Sequence, residues 1–352
     1  KGRYPDTGRP LRPTPRLTYT NTMRYASLLL LLLASCATSG STNGNRDLPS
    51  QIETEEYVNL SARVTADEDA PIGAFLGEVG NRVQAWNNAR LIGDNERVRL
   101  LEGVLKFECL RRQHEIIDQL ETGPSRNRSL AAVALGFTNS RVIVDPDKSL
   151  DLIDRGAIAI SPLLAAIPDE DPEVAANALM GLGLLGRVDT PLRPICEALD
   201  TSPAAPVRNN ATYALICILS ASKNISADFT ADQLAMVRQS TQLALNHPNA
   251  SIRIQASAVL GLAGNEDSIP HLGDRLNDED PTVGQAAATA LARIGREQIH
   301  FKGKVARLLS GSLDRVRPTR RETVMIGLIL LAEHNYGDRS EDWVAWANKL
   351  PR

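Results

Sequence analysis

Aromatic residues are scarce in this sequence. They make up 4% of 352 residues, so Leu, Ala, Ile and Val must supply nearly all of any buried surface. That palette suits close helix packing better than the aromatic and β-branched pairing of sheets, and it argues against an all-β fold. An excess of charge of one sign is missing as well. With 39 Lys plus Arg against 42 Asp plus Glu, the formal net charge is -3, which excludes a globally basic nucleic-acid binder but allows a local patch. Cysteine is sparse too: Cys36, Cys109, Cys196 and Cys217 form no C-x-x-C pair and show no metal-ligand spacing. Neither a disulfide framework nor a zinc module is expected, although a Cys196 to Cys217 disulfide stays open. What is present is 43% hydrophobic and 23% charged side chains, enough for a large packed core.

Long apolar runs are also few, and the clearest is short. Met23 and Arg24 precede an unbroken stretch of leucines at 28–33, then Ala34, Ser35 and Cys36. A positive residue, a brief greasy segment and small residues are the layout of a secretory signal, well below the ~20 apolar residues of a spanning helix. Leu33-Ala34-Ser35-Cys36 resembles the lipobox of bacterial lipoproteins. The resemblance implies that residues 23–35 are a signal peptide, that the Cys36 thiol carries lipid, and that the mature chain is held in the bacterial cell envelope. Acyl chains at ~0.8 kcal/mol per buried CH₂ would anchor it firmly. Ala37, where aspartate resembles an inner-membrane retention signal, favours the outer membrane facing the periplasm. An ordinary cleaved signal with an incidental Cys36 is the alternative. Residues 1–22, rich in Arg and Pro, are unlike an export signal and are read as a gene-model extension ahead of a start at Met23.

Residues 37–46 are small and polar, without core-forming side chains, and 36–51 is read as a flexible tether. A helical lead-in is expected over 52–123. Its first part is acidic, with Glu53, Glu55, Glu56, Asp67, Glu68, Asp69 and Glu78 against Arg63, and reads as a solvated face rather than a cation site. Apolar residues at three- and four-residue steps then predict helices over 72–89 and 96–120.

Internal repetition decides the architecture. An apolar residue, alanine four later, leucine eight later and a small residue twelve later recur as Val174, Ala178, Leu182, Gly186; as Ile252, Ala256, Leu260, Gly264; and as Val283, Ala287, Leu291, Gly295. Val207, Ala211 and Leu215 keep the first three positions. Such steps put one stripe on a helix, with alanine allowing close approach and the last small residue permitting a tight exit. Asp171-Pro172 and Asp280-Pro281 supply an N-cap and a preorganised first turn, while Pro191 and Pro270 open second helices. A repeat of roughly thirty residues built from two helices predicts an all-α solenoid, an α-α superhelix of about six helix pairs over 124–335, closed by a capping helix within 336–352. Val316 is read as the lead of a divergent last unit with Arg320 in place of alanine, 141–148 as an irregular insertion before a helix over 150–167, and 221–232 as an inserted loop before a helix over 233–245. The stretches 169–179 and 278–288 resemble HEAT-type repeats in the short form of the phycobilin lyases. That resemblance implies a protein-binding solenoid, with an enzyme or enzyme subunit like the lyases as its alternative.

Catalytic motifs find little support. Gly181, Gly183 and Gly186 match G-x-G-x-x-G, but they follow a helical pattern instead of the strand the dinucleotide fingerprint needs. His114-Glu115 begins like a zinc motif, yet Asp118 stands where the second histidine belongs. No enzyme, cofactor, metal or small-molecule substrate is expected. The sharpest surface feature is a basic cluster of Arg293, Arg296, Lys302, Lys304, Arg307, Arg315, Arg317, Arg320 and Arg321, interrupted by Glu297 and Asp314. It is a candidate site for anionic lipid, cell-wall polymer or an acidic protein face, or else a solvated end of the solenoid. Trp343 and Trp346 share a helical face expected to cap the last repeat, with docking to a partner as the alternative. These features predict a membrane-anchored, non-catalytic scaffold that binds protein along the groove of its second helices.

Overall fold

The computed structural model describes residues 70–139, 141–143, 152–225 and 228–351. Cys36 with its lipobox, the tether, most of the acidic stretch and residues 144–148 of the insertion lie outside the described residues.

Among the described residues three helices come first: α1 (Ile72–Ile92), α2 (Asn95–Arg111) and α3 (Gln113–Thr122). The helix expected over 96–120 is broken at Arg112, which leaves the helical region at φ -107°. Its guanidinium is tied to the Ala70 carbonyl and to Glu115, and lies over the Phe75 ring, fixing the corner between α2 and α3.

Six helix pairs follow. They are α4 (Ser125–Leu135) with α5 (Arg155–Ala165), α6 (Pro172–Leu185) with α7 (Leu192–Thr201), α8 (Ala205–Ile225) with α9 (Ala231–Ala244), α10 (Ala250–Ala263) with α11 (Ser268–Arg275), α12 (Pro281–Glu297) with α13 (Lys302–Ser312), and α14 (Pro318–Ala332) with α15 (Ser340–Asn348). First helices stack in one row, α1 against α4 and then α4 through α14 in order. Second helices make the other row, in which α3 packs beside α5 and α7, α9, α11, α13 and α15 follow one another. Between the rows one continuous apolar core extends from Leu76 to Ala347. Two short strands, β1 (Arg141–Ile143) and β2 (Leu152–Asp154), pair antiparallel between α4 and α5. The helix expected over 150–167 therefore begins only at Arg155, where the Asp154 carboxylate caps the Ala157 N–H.

Local chemistry explains the starts. Asp171 accepts from the Glu173 N–H at 2.9 Å, Asp280 from Thr282 at 2.8 Å and Asn249 from Ser251 at 2.9 Å, each cap contributing about 1 kcal/mol. Thr230 and Gln233 form a reciprocal capping box on α9. The stripe residues Val174, Ala178, Leu182, Ile252, Ala256, Leu260, Val283, Ala287 and Leu291 are all buried in the seam.

The twelfth position does three different jobs. Gly186 ends α6 at φ +54°, a conformation that favours glycine. Gly264 ends α10 in an extended conformation, while Gly295 lies inside α12, where a Cβ would come 2.7 Å from Leu331 Cδ1. In the last pair the stripe is offset from the sequence reading. Val316 precedes the helix, Pro318 opens it, and Arg320, Val324 and Leu328 hold the positions of Val283, Ala287 and Leu291. The wide spacing after Val207 also has a different origin, since α8 is prolonged to 21 residues and α9 begins at Ala231, with 228–230 the described residues outside both helices.

Candidate interaction surfaces

Arginine–aspartate pairs join successive units along the edge where second helices return to first ones. Arg128 on α4 makes two bonds of 2.9 Å to Asp169, ahead of α6. Arg253 on α10 does the same to Asp278, ahead of α12, at 2.7 and 3.1 Å. The Arg128 hydrogen bonds hold the Asp169 carboxyl below its usual range, outweighing partial burial. For Asp278, burial would raise the value, but the Arg253 bonds, the Asp280 N–H and the Arg275 charge reverse it and leave it lowered. This edge is a connector, and its acids are committed to holding units together.

Most members of the basic cluster have partners, several of them in exposed ion pairs. Arg293 pairs with Glu297 at 2.7 Å, Arg296 with Glu333 at 2.9 Å and Lys304 with Glu266 at 2.7 Å. Arg307 reaches the Leu350 and Pro351 carbonyls at 3.2 and 3.1 Å, and Arg317 the Asn277 carbonyl at 2.9 Å. Arg320 is buried and donates to the Glu279 carbonyl at 2.7 Å and to the Asp278 carbonyl at 3.2 Å. Arg321 bridges Leu313, Asp314 and Asp338. Lys302 and Arg315 are the members whose side chains have no such partner among the described residues. The nine residues belong to three helices and their connections, and Arg296, Lys304, Arg315 and Arg317 are exposed.

Other motif residues have packing roles. A Cβ on Gly181 would meet the Ala132 carbonyl oxygen at 2.4 Å, and one on Gly183 the Tyr213 ring at 2.6 Å, so these glycines allow α6 to touch α4 and α8. His114 is exposed with Nε2 3.5 Å from Arg155 Nη1, and Glu115 is held below its usual range by its hydrogen bond to Arg112. Among the described residues no group of His, Cys, Asp and Glu is placed to hold a metal ion, and no helix is long and apolar enough to cross a membrane. Cys109, Cys196 and Cys217 form no disulfide. Burial pushes the Cys109 thiol well up and the Cys196 thiol up to about 12, which makes both poor nucleophiles at neutral pH. Trp343 is buried, donates to the Gly337 carbonyl at 2.8 Å and packs edge-on against Trp346 and Tyr336.

The second-helix row is the more open surface. Exposed on it are Arg193, Glu197 and Asp200 on α7, Asp232, Gln239 and Leu243 on α9, and His271 and Asp274 on α11. Sequence patterning placed these helices but could not show which of their residues face solvent. Two grooves indent the molecule near α4. One, of about 550 Å³, is lined by Leu120, Glu121, Arg128, Pro162, Ala165, Ala166, Asp169 and Glu170. The other, of about 350 Å³, lies between α1 and α4 around Gly77, Gln84, Arg126 and Ser129.

Residues 238–328 match the family model described as HEAT repeats. No curated protein matches the sequence. Among solved structures, a Kap121p mutant is similar over 78% of this chain at 15% identity and a TM-score of 0.44. The chain spans 30% of the length of that protein. Human deoxyhypusine hydroxylase in complex with glycerol is similar over 75% of this chain and 100% of its own, at 16% identity and a TM-score of 0.25. The described chain is an all-α solenoid of stacked helix pairs, and its segment 238–328, from within α9 to within α14, matches the HEAT-repeat model.

Proposed function

We propose that this protein is a non-catalytic scaffold of the bacterial cell envelope, lipid-anchored through Cys36, that binds a partner protein along its second-helix face. The observation that carries the reading is the row α7, α9, α11, α13, α15, an unbroken run of helices packed on one core. Such a row offers a long surface of alternating ridges and grooves, with charged and apolar groups such as Arg193, Asp274 and Leu243 exposed on it. Extended surfaces of this kind suit polypeptide partners better than small substrates, which favour deep pockets. The anchor is supported by the lipobox-like Leu33-Ala34-Ser35-Cys36 after a short apolar segment. The alternative in which the basic cluster binds anionic lipid or cell-wall polymer is weakened by the internal partners of Arg293, Arg296, Lys304, Arg307, Arg317, Arg320 and Arg321.

The test is a crosslinked pull-down of the full chain from bacterial membranes, compared with a variant carrying Arg193→Glu, Asp274→Lys and Leu243→Asp. An envelope protein recovered with the wild type and lost with the variant is expected; equal recovery would remove the second-helix face. The anchor is tested separately by labelled palmitate, which should enter the wild type and not Cys36→Ser.

A further inference from the structure

We propose that the groove between α3 and α5 binds a short segment of a partner protein in which a large apolar side chain is flanked by lysine or arginine. This rests on the protein-binding reading above and gives it a site and a ligand chemistry.

The argument begins with α5. From 156 to 167 its sequence contains no charged residue, yet Ala157, Ile158, Ser161 and Ala165 face solvent, with Ile158 38% exposed. A solvated helix face normally carries charge, and an uncharged one marks a surface meant to be covered. At the end of that face lies the groove of about 550 Å³, floored by Leu120, Pro162, Ala165 and Ala166. It has room for a few side chains, not for a folded domain.

The rim decides the sign of the partner. Arg128, its one cation, is neutralised by two bonds of 2.9 Å to Asp169 and donates also to the Gly123 carbonyl. Glu121 and Glu170 are exposed and have no ion pair among the described residues. An acidic segment would be repelled by these two carboxylates, and a purely apolar one would desolvate them without compensation. A segment with an apolar anchor and flanking cations satisfies floor and rim together, and complementary charge of this kind sets both approach and selectivity.

The test is selection of a random dodecapeptide library on the purified full chain, followed by fluorescence anisotropy of the selected peptides. Enrichment of a large apolar residue beside Lys or Arg is expected. Replacing the apolar residue by serine, or the cations by glutamate, should weaken binding at least about tenfold, which is about 1.4 kcal/mol. Glu121→Lys with Glu170→Lys should do the same with the helix content by circular dichroism unchanged, because both side chains are exposed. Glu121→Gln with Glu170→Gln should have a smaller effect. Enrichment of acidic peptides, no enrichment at all, or binding indifferent to both pairs of substitutions would overturn the groove assignment. A scaffold that still recovers an envelope protein by membrane pull-down, but whose groove fails these tests, would keep the protein-binding reading and lose only this site.

Discussion

Arg253 and Asp278 form a buried ion pair across two repeats, bonded at 2.7 Å (Nη2 to Oδ1) and 3.1 Å (Nε to Oδ2) with both side chains about 5% exposed or less. The same arginine donates to the His247 and Pro248 carbonyls, and the Asp278 carbonyl accepts from Arg320 two helices onward. Three units, led by α10, α12 and α14, therefore meet at one aspartate. Removing one partner strands the other charge in the core, so Arg253→Ala or Asp278→Ala should destabilise the protein by about 3–5 kcal/mol. Arg253→Ala should fall at the lower end, because Arg275 stays 3.6 Å from Asp278. The double change Arg253→Met with Asp278→Leu should cost less than either single one, measured by urea unfolding. A double variant less stable than both singles would contradict this account.

The same pair makes stability depend on acid. Asp278 and Asp169 are both lowered from 3.8 in the folded chain. A depressed carboxylate contributes stability that is fully present above its unfolded value and lost as pH falls through its folded one. The urea midpoint should thus be flat from pH 7 to about 5 and decline below about 4. Asp278→Asn should lower the midpoint at pH 7 and make the acid decline shallower. An acid decline as steep as the wild type's would assign the effect to other carboxylates.

How much of this was legible beforehand differs between particular residues. Val174, Ala178 and Leu182 announced a buried helical stripe, because a period of four with alanine between larger residues has few other uses, and all three are in the core. Asp171 and Asp280 announced helix starts through local capping chemistry, which needs no tertiary information. Arg320 misled. Read as a misplaced alanine, it is the leading stripe residue of α14, and a charge can stand there only because the Asp278 and Glu279 carbonyls of another unit receive it. The partners of the basic cluster were illegible for a related reason: linear charge counts omit Glu266 and Glu333, which folding brings beside Lys304 and Arg296. The α3 to α5 groove was invisible, since its floor and rim come from four separate stretches of chain.

Two glycines in helices should respond oppositely to alanine. At Gly77 on α1 an added Cβ meets nothing within 4 Å, so only the backbone term acts and Gly77→Ala should stabilise by about 0.5–1 kcal/mol. At Gly181 the Cβ would come 2.4 Å from the Ala132 carbonyl oxygen and 3.0 Å from Leu163. Backbone cannot yield as a flexible side chain can, so α4 and α6 must separate, and Gly181→Ala should cost about 1–3 kcal/mol. Thermal melts of the two variants check both signs. If Gly181→Ala melts like the wild type, the tight crossing of α4 and α6 is not what limits that position.

Trp343 should govern the last unit rather than the whole chain. Its ring is buried, its N–H is satisfied by Gly337, and it anchors α15 against α13 beside Tyr336 and Trp346. Arg307 on α13 secures the same helix by donating to the Ala347 carbonyl at 3.4 Å and the Leu350 carbonyl at 3.2 Å. Truncating a buried tryptophan costs about 3–5 kcal/mol, and in a stack whose units contact only their neighbours that loss is felt mainly by the end unit. Trp343→Ala should therefore release α15 first, seen as loss of amide-exchange protection over 340–348 while α6 to α10 keep theirs. Trp343→Phe retains an aromatic ring and loses the bond to Gly337 as well as some packing, so its cost should be smaller, on the order of 1 kcal/mol. Protection lost uniformly from α6 to α15 would show instead that the chain unfolds as one cooperative unit, with Trp343 holding all of it.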